Sequence, residues 1–366
     1  MNRVAVFPSR YVQGPGALAR FGQEAARLGQ RILMLADETL PETVVASVGH
    51  EGVEMVLHGV APTCTDAAIA AAAQLASETK ADAIAGLGGG KVIDLARATA
   101  DQCEVPFISV PTAAASDAAC SALAVVYDEA GHVLRDQHMR WNPALVVVDS
   151  IVIAHAPARL FAAGIGDALA TFGEALACFR SGAANVAGGG QTEVAMALAR
   201  SCDETIRTHA ETALAQCRAG TPGPEFEAVL EATILMSGIG FESGGVAAAH
   251  AVHHGLADWH ETQDALHGEK VAFGHLVEEA LNGADHARLT ELADFNRRLG
   301  LPANLADLGI TDPGMALPVI LARATRSDEI IHNEPTPVTI ERLRTAIIAA
   351  DRAGQTAGKQ AGNANV

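Results

Sequence analysis

Basic residues are in short supply. Lys and Arg together number 25 against 43 Asp and Glu, for a formal net charge of −18. That balance argues against nucleic acid or an anionic membrane as a partner, since both demand a positive face. Aromatic residues are scarcer still, with 2 Trp, 2 Tyr and 10 Phe in 366 residues. Ala and Gly dominate instead, so the helices should pack closely. The six cysteines form no CxxC pair and no regular framework. This excludes a disulfide scaffold and points to reduced, mostly buried thiols in a cytoplasmic protein. No run reaches the ~20 apolar residues of a membrane span. The first residues, MNRVAVFPSRYVQGPGAL, lack the apolar segment of a secretory signal. There is no internal repeat and no low-complexity linker. At 366 residues the chain is too long for one typical core, so two domains are expected.

What is present is organised around GLGGGKVIDLARATA, residues 86–100. An apolar run, a glycine triplet and a segment of helical spacing read as strand, turn and helix. Gly88, Gly89 and Gly90 carry no side chains, so their N–H groups can approach an anion closely, and the helix beginning near Lys91 points its positive end at the same spot. A pyrophosphate suits that place, although the triplet would also serve as a plain tight turn.

Around it, strand and helix signals alternate. Segments 4–7, 31–37, 53–60, 105–112, 121–128 and 144–150 read as strands. Segments 16–29, 38–52 and 65–81 read as helices, the last capped by Thr65 or Asp66. Alternation of this kind indicates a mostly parallel sheet covered on both faces. Asp37 closes an early strand, where an acid either caps the next helix or holds the adenosine ribose hydroxyls of a dinucleotide, favouring NAD over NADP. No G-x-G-x-x-G follows the first strand. From about residue 156 only helical patterns remain. The expected division is an α/β dinucleotide-binding domain over 1–155 and an all-α metal- and substrate-binding domain over 156–366. The small, polar end of the chain, 354–366, should fray.

Ligand-type side chains concentrate in four places. GIGDALATFGEA carries Asp167, in the plainest reading a helix cap. AAAHAVHHGL carries His250, His253 and His254, of which His250 and His254 share a helix face. LHGEK carries His267. Two imidazoles from separate helices and one carboxylate would form a three-ligand site with an open position, as a catalytic Zn²⁺ or Fe²⁺ requires. A chance cluster of histidines reads the same way in sequence. The fourth place, PTAAASDAACSALAVVY, sets Thr112, Ser116, Asp117, Ser121 and Tyr127 between two apolar strands. Its small residues would let a nicotinamide ring lie against backbone, or simply make a turn-rich connection.

Taken in order, GLGGGKVID, PTAAASDAACSALAVVYDEAG, GIGDALATFGEA, SGIGFESGGVAAAHAVHHGL, LHGEKVAFG and DEIIHNEPTPVT resemble the iron-containing (type III) alcohol dehydrogenase family, and within it the branch that oxidises glycerol. The resemblance spans most of residues 80–340. It implies a metal held by Asp167, His250 and His267, NAD pyrophosphate on Gly90 and Lys91, and ribose on Asp37. Asp94, Thr112, Ala115, Ser121, Leu123 and Tyr127 would line the cofactor, and Asp117 would bind a substrate hydroxyl. It also implies an active site between the two domains and a homo-oligomer, an octamer in the family. Iron-binding members often carry a His four residues after the Asp; here that position is Thr171, as in the three-ligand zinc branch. Glycerol-oxidising relatives usually have Thr, Pro and Asn where this chain has Ala115, Ala119 and His254.

The expected activity is NAD-dependent, metal-assisted oxidation of glycerol or a related vicinal diol to dihydroxyacetone or its analogue. His253 or His254 would relay the released proton. The alternative is an Fe- or Zn-dependent alcohol or hydroxycarboxylate dehydrogenase of the same family. Asp117 favours a polyol, since a carboxylate there would repel an anionic substrate. A cyclase or lyase of the dehydroquinate synthase type would want several Lys or Arg near the metal, and only Lys270 is close in sequence. A binding module without catalysis would not need Asp167, His250 and His267 intact.

Overall fold

A computed structural model describes residues 1–364. The chain divides into two compact units, each discontinuous in sequence. One takes in Val6–Ala158 and Gln216–Gly238. The other takes in Met1–Ala5, Arg159–Ala215 and the chain from Ile239 onward.

The first unit is α/β. Its strands are β1 (Tyr11–Gly14), β2 (Arg31–Asp37), β3 (Glu54–Val60), β4 (Ala83–Gly88), β5 (Phe107–Pro111), β6 (Leu123–Tyr127), β7 (Val133–His138) and β8 (Leu145–Asp149). Six of them form one parallel sheet in the order β1-β8-β5-β4-β2-β3, and β6 and β7 pair as a separate antiparallel hairpin. Side chains alternate across the strands, so β2 feeds both faces. Leu33 and Leu35 pack with Ile84, Ile93 and Leu95 on one side, and Ile32 and Met34 with Ala83, Ala85 and Ile108 on the other. The helix Asp66–Thr79 starts at Thr65, whose hydroxyl accepts from the Ala68 N–H at 3.2 Å.

Four expectations change. Residues 4–7 form no strand; Val4 instead bonds through its N–H to the Gly190 carbonyl. The helix expected over 38–52 is only Glu42–Ala46, and that over 16–29 is a 3₁₀ turn, Ala17–Arg20, followed by Phe21–Ala25. The strand expected at 121–128 exists but lies in the hairpin rather than the main sheet.

The second unit is helical. Among the described residues no strand follows Asp149. Its long helices include Ala158–Ser181, Ala248–Ala257, His267–Leu281, His286–Leu299, Pro313–Ala324 and Ile340–Ala364. Their core gathers Val252, Leu256, Phe273, Leu276, Val277, Leu321 and Ile347. Ala158–Ser181 is long and apolar enough to cross a membrane, contrary to the reading that no run approaches a span, yet 78% of its most apolar window is buried inside the protein. Its hydropathy is that of a core helix. The end of the chain remains helical to Ala364 rather than fraying from 354, and the last two residues lie outside those described.

Candidate active site

In the helical unit, three helices deliver three ligand-type side chains to one point. Asp167 sits in the middle of Ala158–Ser181, not at its start, so it is no helix cap. His250 stands in the first turn of Ala248–Ala257, and His267 is the first residue of His267–Leu281. One ligand atom from each of Asp167, His250 and His267 lies within 4.8 Å of the others. Asp167 Oδ1 is 3.1 Å from His267 Nε2 and 3.5 Å from His250 Nε2.

Glycine makes this approach possible. A Cβ on Gly166 would come within 2.5 Å of the Gly268 carbonyl oxygen, and one on Gly268 within 1.8 Å of the Ala163 carbonyl oxygen. Each of these glycines neighbours a ligand, so the two helices meet main chain to main chain just where Asp167 and His267 project. The His267 helix is also braced at its origin. Arg159 grips Glu269 through two bonds of 2.6 and 2.8 Å, and Glu269 accepts from the Leu266 N–H at 2.8 Å.

The charges favour a cation. Burial alone would raise the Asp167 pKa, but the charge of His267 and hydrogen bonds from His250 and His267 hold it well below the usual carboxylate range. Burial disfavours the charged form of His250, and the Glu174 and Asp167 carboxylates more than offset it, so its pKa lies well above the ordinary value. One buried carboxylate and two imidazoles, mutually close and drawn together by charge, are a donor set that fits a divalent metal ion.

Around them stand His253 and His254. The His253 ring packs 4.2 Å from the His267 ring, centroid to centroid, and its buried Nδ1 has no hydrogen-bond partner among the described residues. Burial, with His267 and His254 beside it, pushes its pKa well down. His254 is engaged differently: its Nδ1 bonds Glu329 Oε1 at 2.8 Å, and Glu329 also pairs with Arg323. Burial raises the Glu329 pKa, and the hydrogen bond and charge of His254 bring it down to about 2. Thr171 is buried, one turn beyond Asp167.

The α/β unit carries the glycine turn. β4 ends at Gly88 and a helix begins at Gly90. A Cβ on Gly89 or Gly90 would meet nothing within 4 Å, so the start of this helix faces open space. A Cβ on Gly88 would lie 2.9 Å from Val92 Cβ and 3.0 Å from Asp37 Cβ, which sets Asp37 directly beside the turn. Asp37 Oδ1 accepts from the Thr39 N–H and hydroxyl at 2.9 and 2.6 Å. Thr112 donates its N–H to the Gly88 carbonyl at 3.0 Å, and Lys91 Nζ stands 4.8 Å over the Tyr127 ring. Open helix-start amides beside an acid at a strand end fit the pyrophosphate and ribose of a dinucleotide.

Other expected cofactor residues take part in a hydrogen-bonded network of the same unit. Asp94 pairs with Arg97 at 2.8 Å and accepts from the Val125 N–H at 3.3 Å; burial pushes its pKa up to about 6. Arg97 in turn donates to the Ala118 and Leu123 carbonyls, and Ser121 donates to the Ala118 carbonyl at 3.1 Å. This network pins the segment from Ala118 to Val125 onto the glycine-turn helix. Ala115 and Leu123 are half-buried. Asp117 is buried and accepts from the Ser237 hydroxyl at 2.8 Å. Ser237 immediately follows a π-helical turn, Ala232–Met236.

Sequence reasoning missed Glu174, Glu329 and Ser237. Glu174 had a signal: it lies seven residues after Asp167, two helical turns on. Glu329 stands in the DEIIHNEPTPVT stretch without any spacing that ties it to His254, and a π turn leaves no trace in hydrophobic periodicity.

Residues 8–150 match the iron-containing alcohol dehydrogenase family. Over 360 residues the chain is 43% identical to a glycerol dehydrogenase of Pseudomonas putida, covering 97% of this chain and 99% of that protein. It is 39% identical over 363 residues to a glycolaldehyde reductase of Halobacterium salinarum, again covering 97% and 99%. The crystal structure of glycerol dehydrogenase from Schizosaccharomyces pombe matches with a TM-score of 0.91 at 32% sequence identity, covering 99% of this chain and 93% of that one. The chain belongs to the iron-containing alcohol dehydrogenase family.

Proposed function

We propose that this protein oxidises glycerol, or a closely related vicinal diol, to the corresponding hydroxyketone with NAD as hydride acceptor. The observation that carries the reading is the convergence of Asp167, His250 and His267 within 4.8 Å, in a chain that aligns over its length with glycerol dehydrogenases. A divalent ion held there would polarise a substrate hydroxyl and lower its pKa, and NAD held at the glycine turn would supply the hydride acceptor. We assign Zn²⁺, with Fe²⁺ as the other candidate; Thr171 in place of a fourth ligand supports zinc.

The rest falls to the chain's own residues. Asp167, His250 and His267 bind the ion. The open N–H groups at Gly89 and Gly90 hold the pyrophosphate, with Lys91 alongside, and Asp37 takes the ribose hydroxyls. Asp117 accepts a hydrogen bond from a second substrate hydroxyl and so selects a polyol and fixes its orientation. The hydroxyl proton needs a path to water. His254 is better suited to this than His253: its Nδ1 bonds Glu329, leaving Nε2 as the basic nitrogen, whereas burial depresses the basicity of His253. All six cysteines are free, in keeping with a cytoplasmic enzyme. We assign a homo-oligomer, for which Trp141 (77% exposed) and Met315 (65% exposed) offer apolar surface.

The test is absorbance at the NADH band with glycerol, NAD and Zn²⁺, repeated after chelation. Activity that chelation abolishes and Zn²⁺ restores is expected; full activity in a metal-free preparation would overturn the reading. The likeness to a glycolaldehyde reductase supports a second reading, reduction of a small hydroxyaldehyde by the same residues. A panel of glycerol, 1,2-propanediol, glycolaldehyde and 2-hydroxy acids, compared by kcat/KM, separates the two and tests the hydroxycarboxylate alternative.

A further inference from the structure

The helix that supplies Asp167 carries a second carboxylate, Glu174, on the same side two turns on. Glu174 is fully buried. Its Oε2 accepts a hydrogen bond from His250 Nδ1 at 2.6 Å, and its Oε1 accepts from the backbone N–H groups of Ala247 and His250, each at 2.9 Å. The helix Ala248–Ala257 has no cap of its own, because Ala247 offers no side-chain oxygen. Glu174 takes that place from a neighbouring helix. One carboxylate therefore grips both the start of the helix and the ring of its third residue.

The chemistry of imidazole gives this a consequence. A metal is bound only by the neutral ring, which carries one N–H. A carboxylate facing Nδ1 can only accept, so the hydrogen stays on Nδ1 and Nε2 keeps its lone pair. Nε2 is the nitrogen turned toward Asp167.

We propose that Glu174 is a positioning residue for the metal: it locks His250 in the tautomer that leaves Nε2 free, and it fixes the helix end from which that ring projects. This rests on the reading of Asp167, His250 and His267 as metal ligands. A purely space-filling Glu174 would be replaceable by any hydrogen-bonding side chain of its size, and E174Q tells the two apart. The glutamine oxygen can still accept from the Ala247 and His250 N–H groups, but its NH₂ then faces Nδ1 and can only donate. That moves the ring hydrogen to Nε2, where it blocks the ion.

The experiment measures Zn²⁺ affinity of the full-length protein by competition with a chromophoric chelator, for wild type, E174Q, E174D and E174A. Thermal midpoints of the metal-free proteins and NADH titrations serve as checks on folding. E174Q should bind Zn²⁺ about 10–100-fold more weakly than wild type while its NADH affinity is unchanged. E174D, which keeps the carboxylate, should bind more tightly than E174Q and E174A despite its shorter reach. An E174Q protein that binds Zn²⁺ as tightly as wild type would overturn the proposal. Should E174Q not fold, E174D binding no better than E174A would overturn it. A wild-type chain that itself fails to bind Zn²⁺ would overturn the metal assignment beneath it, a result distinct from either.

Discussion

The two units place their chemistry on different kinds of support. In the α/β unit the candidate dinucleotide site is mostly main chain: amides at a helix start, exposed because Gly89 and Gly90 have nothing above them. In the helical unit the candidate metal site is made of side chains, three of them, aimed from three helices. A main-chain site depends on what is missing, since any added atom obstructs it. A side-chain site depends on single atoms being present and rightly turned. The two should therefore fail in different ways, and independently.

The sharpest way to break that contrast is Asp167→Ala. It should reduce activity to background and strip the metal, measured by elemental analysis, while NADH affinity is unchanged. Coupled loss of NADH binding would refute the separation. Next is Asp117→Ala, expected to raise KM for the polyol about 10–100-fold, the cost of a hydrogen bond to a charged group, again with NADH binding intact. If NADH affinity collapses instead, Asp117 serves the cofactor and not the substrate.

Glycine replacements sharpen the contrast further. Gly268→Ala forces a methyl into the Ala163 carbonyl and should cost about 1–3 kcal/mol of stability, as overpacking does, with metal affinity lowered too. Gly90→Ala puts its methyl into open space and should leave the thermal midpoint alone while weakening NADH roughly tenfold, about 1.4 kcal/mol. The same substitution thus reads as packing in one unit and as binding in the other.

The smallest effect concerns Glu329. Its pKa is held at about 2 against an ordinary 4.5. A depressed carboxyl stabilises the fold above its unfolded pKa and loses that contribution as pH falls through the folded one. Thermal midpoints followed from about pH 5 to about pH 3 should drop more steeply for wild type than for Glu329→Gln. Equal slopes would show that the His254–Glu329–Arg323 chain does not contribute.

Much of the α/β unit was legible in sequence because burial on both faces leaves continuous apolar runs bounded by polar residues. RILMLAD was read to the residue as β2, and the cap of the helix Asp66–Thr79 was narrowed to Thr65 or Asp66, of which Thr65 is the one that caps. The failures have physical causes. VAVF has the composition of a strand, but among the described residues it joins no sheet; Val4 makes a single ladder-like bond, to the loop at Gly190. Segment 38–52 has helical spacing, but only five residues of it form a helix. In the helical unit the helices were legible and the ligand types recognisable. Their convergence was not, since 100 residues separate Asp167 from His267 and spacing along a chain carries no information about crossing helices. Glu174 was the exception, being on the same helix and in phase.

The paired glycines beside Asp167 and His267 have a consequence for which cations the candidate metal site could take. Because those two helices rest on each other's peptide groups, the distance between the backbones that carry Asp167 and His267 is set by main-chain contact. A cation of another size would have to be met by turning those side chains or changing them, since the two helices cannot draw closer than their glycines already allow.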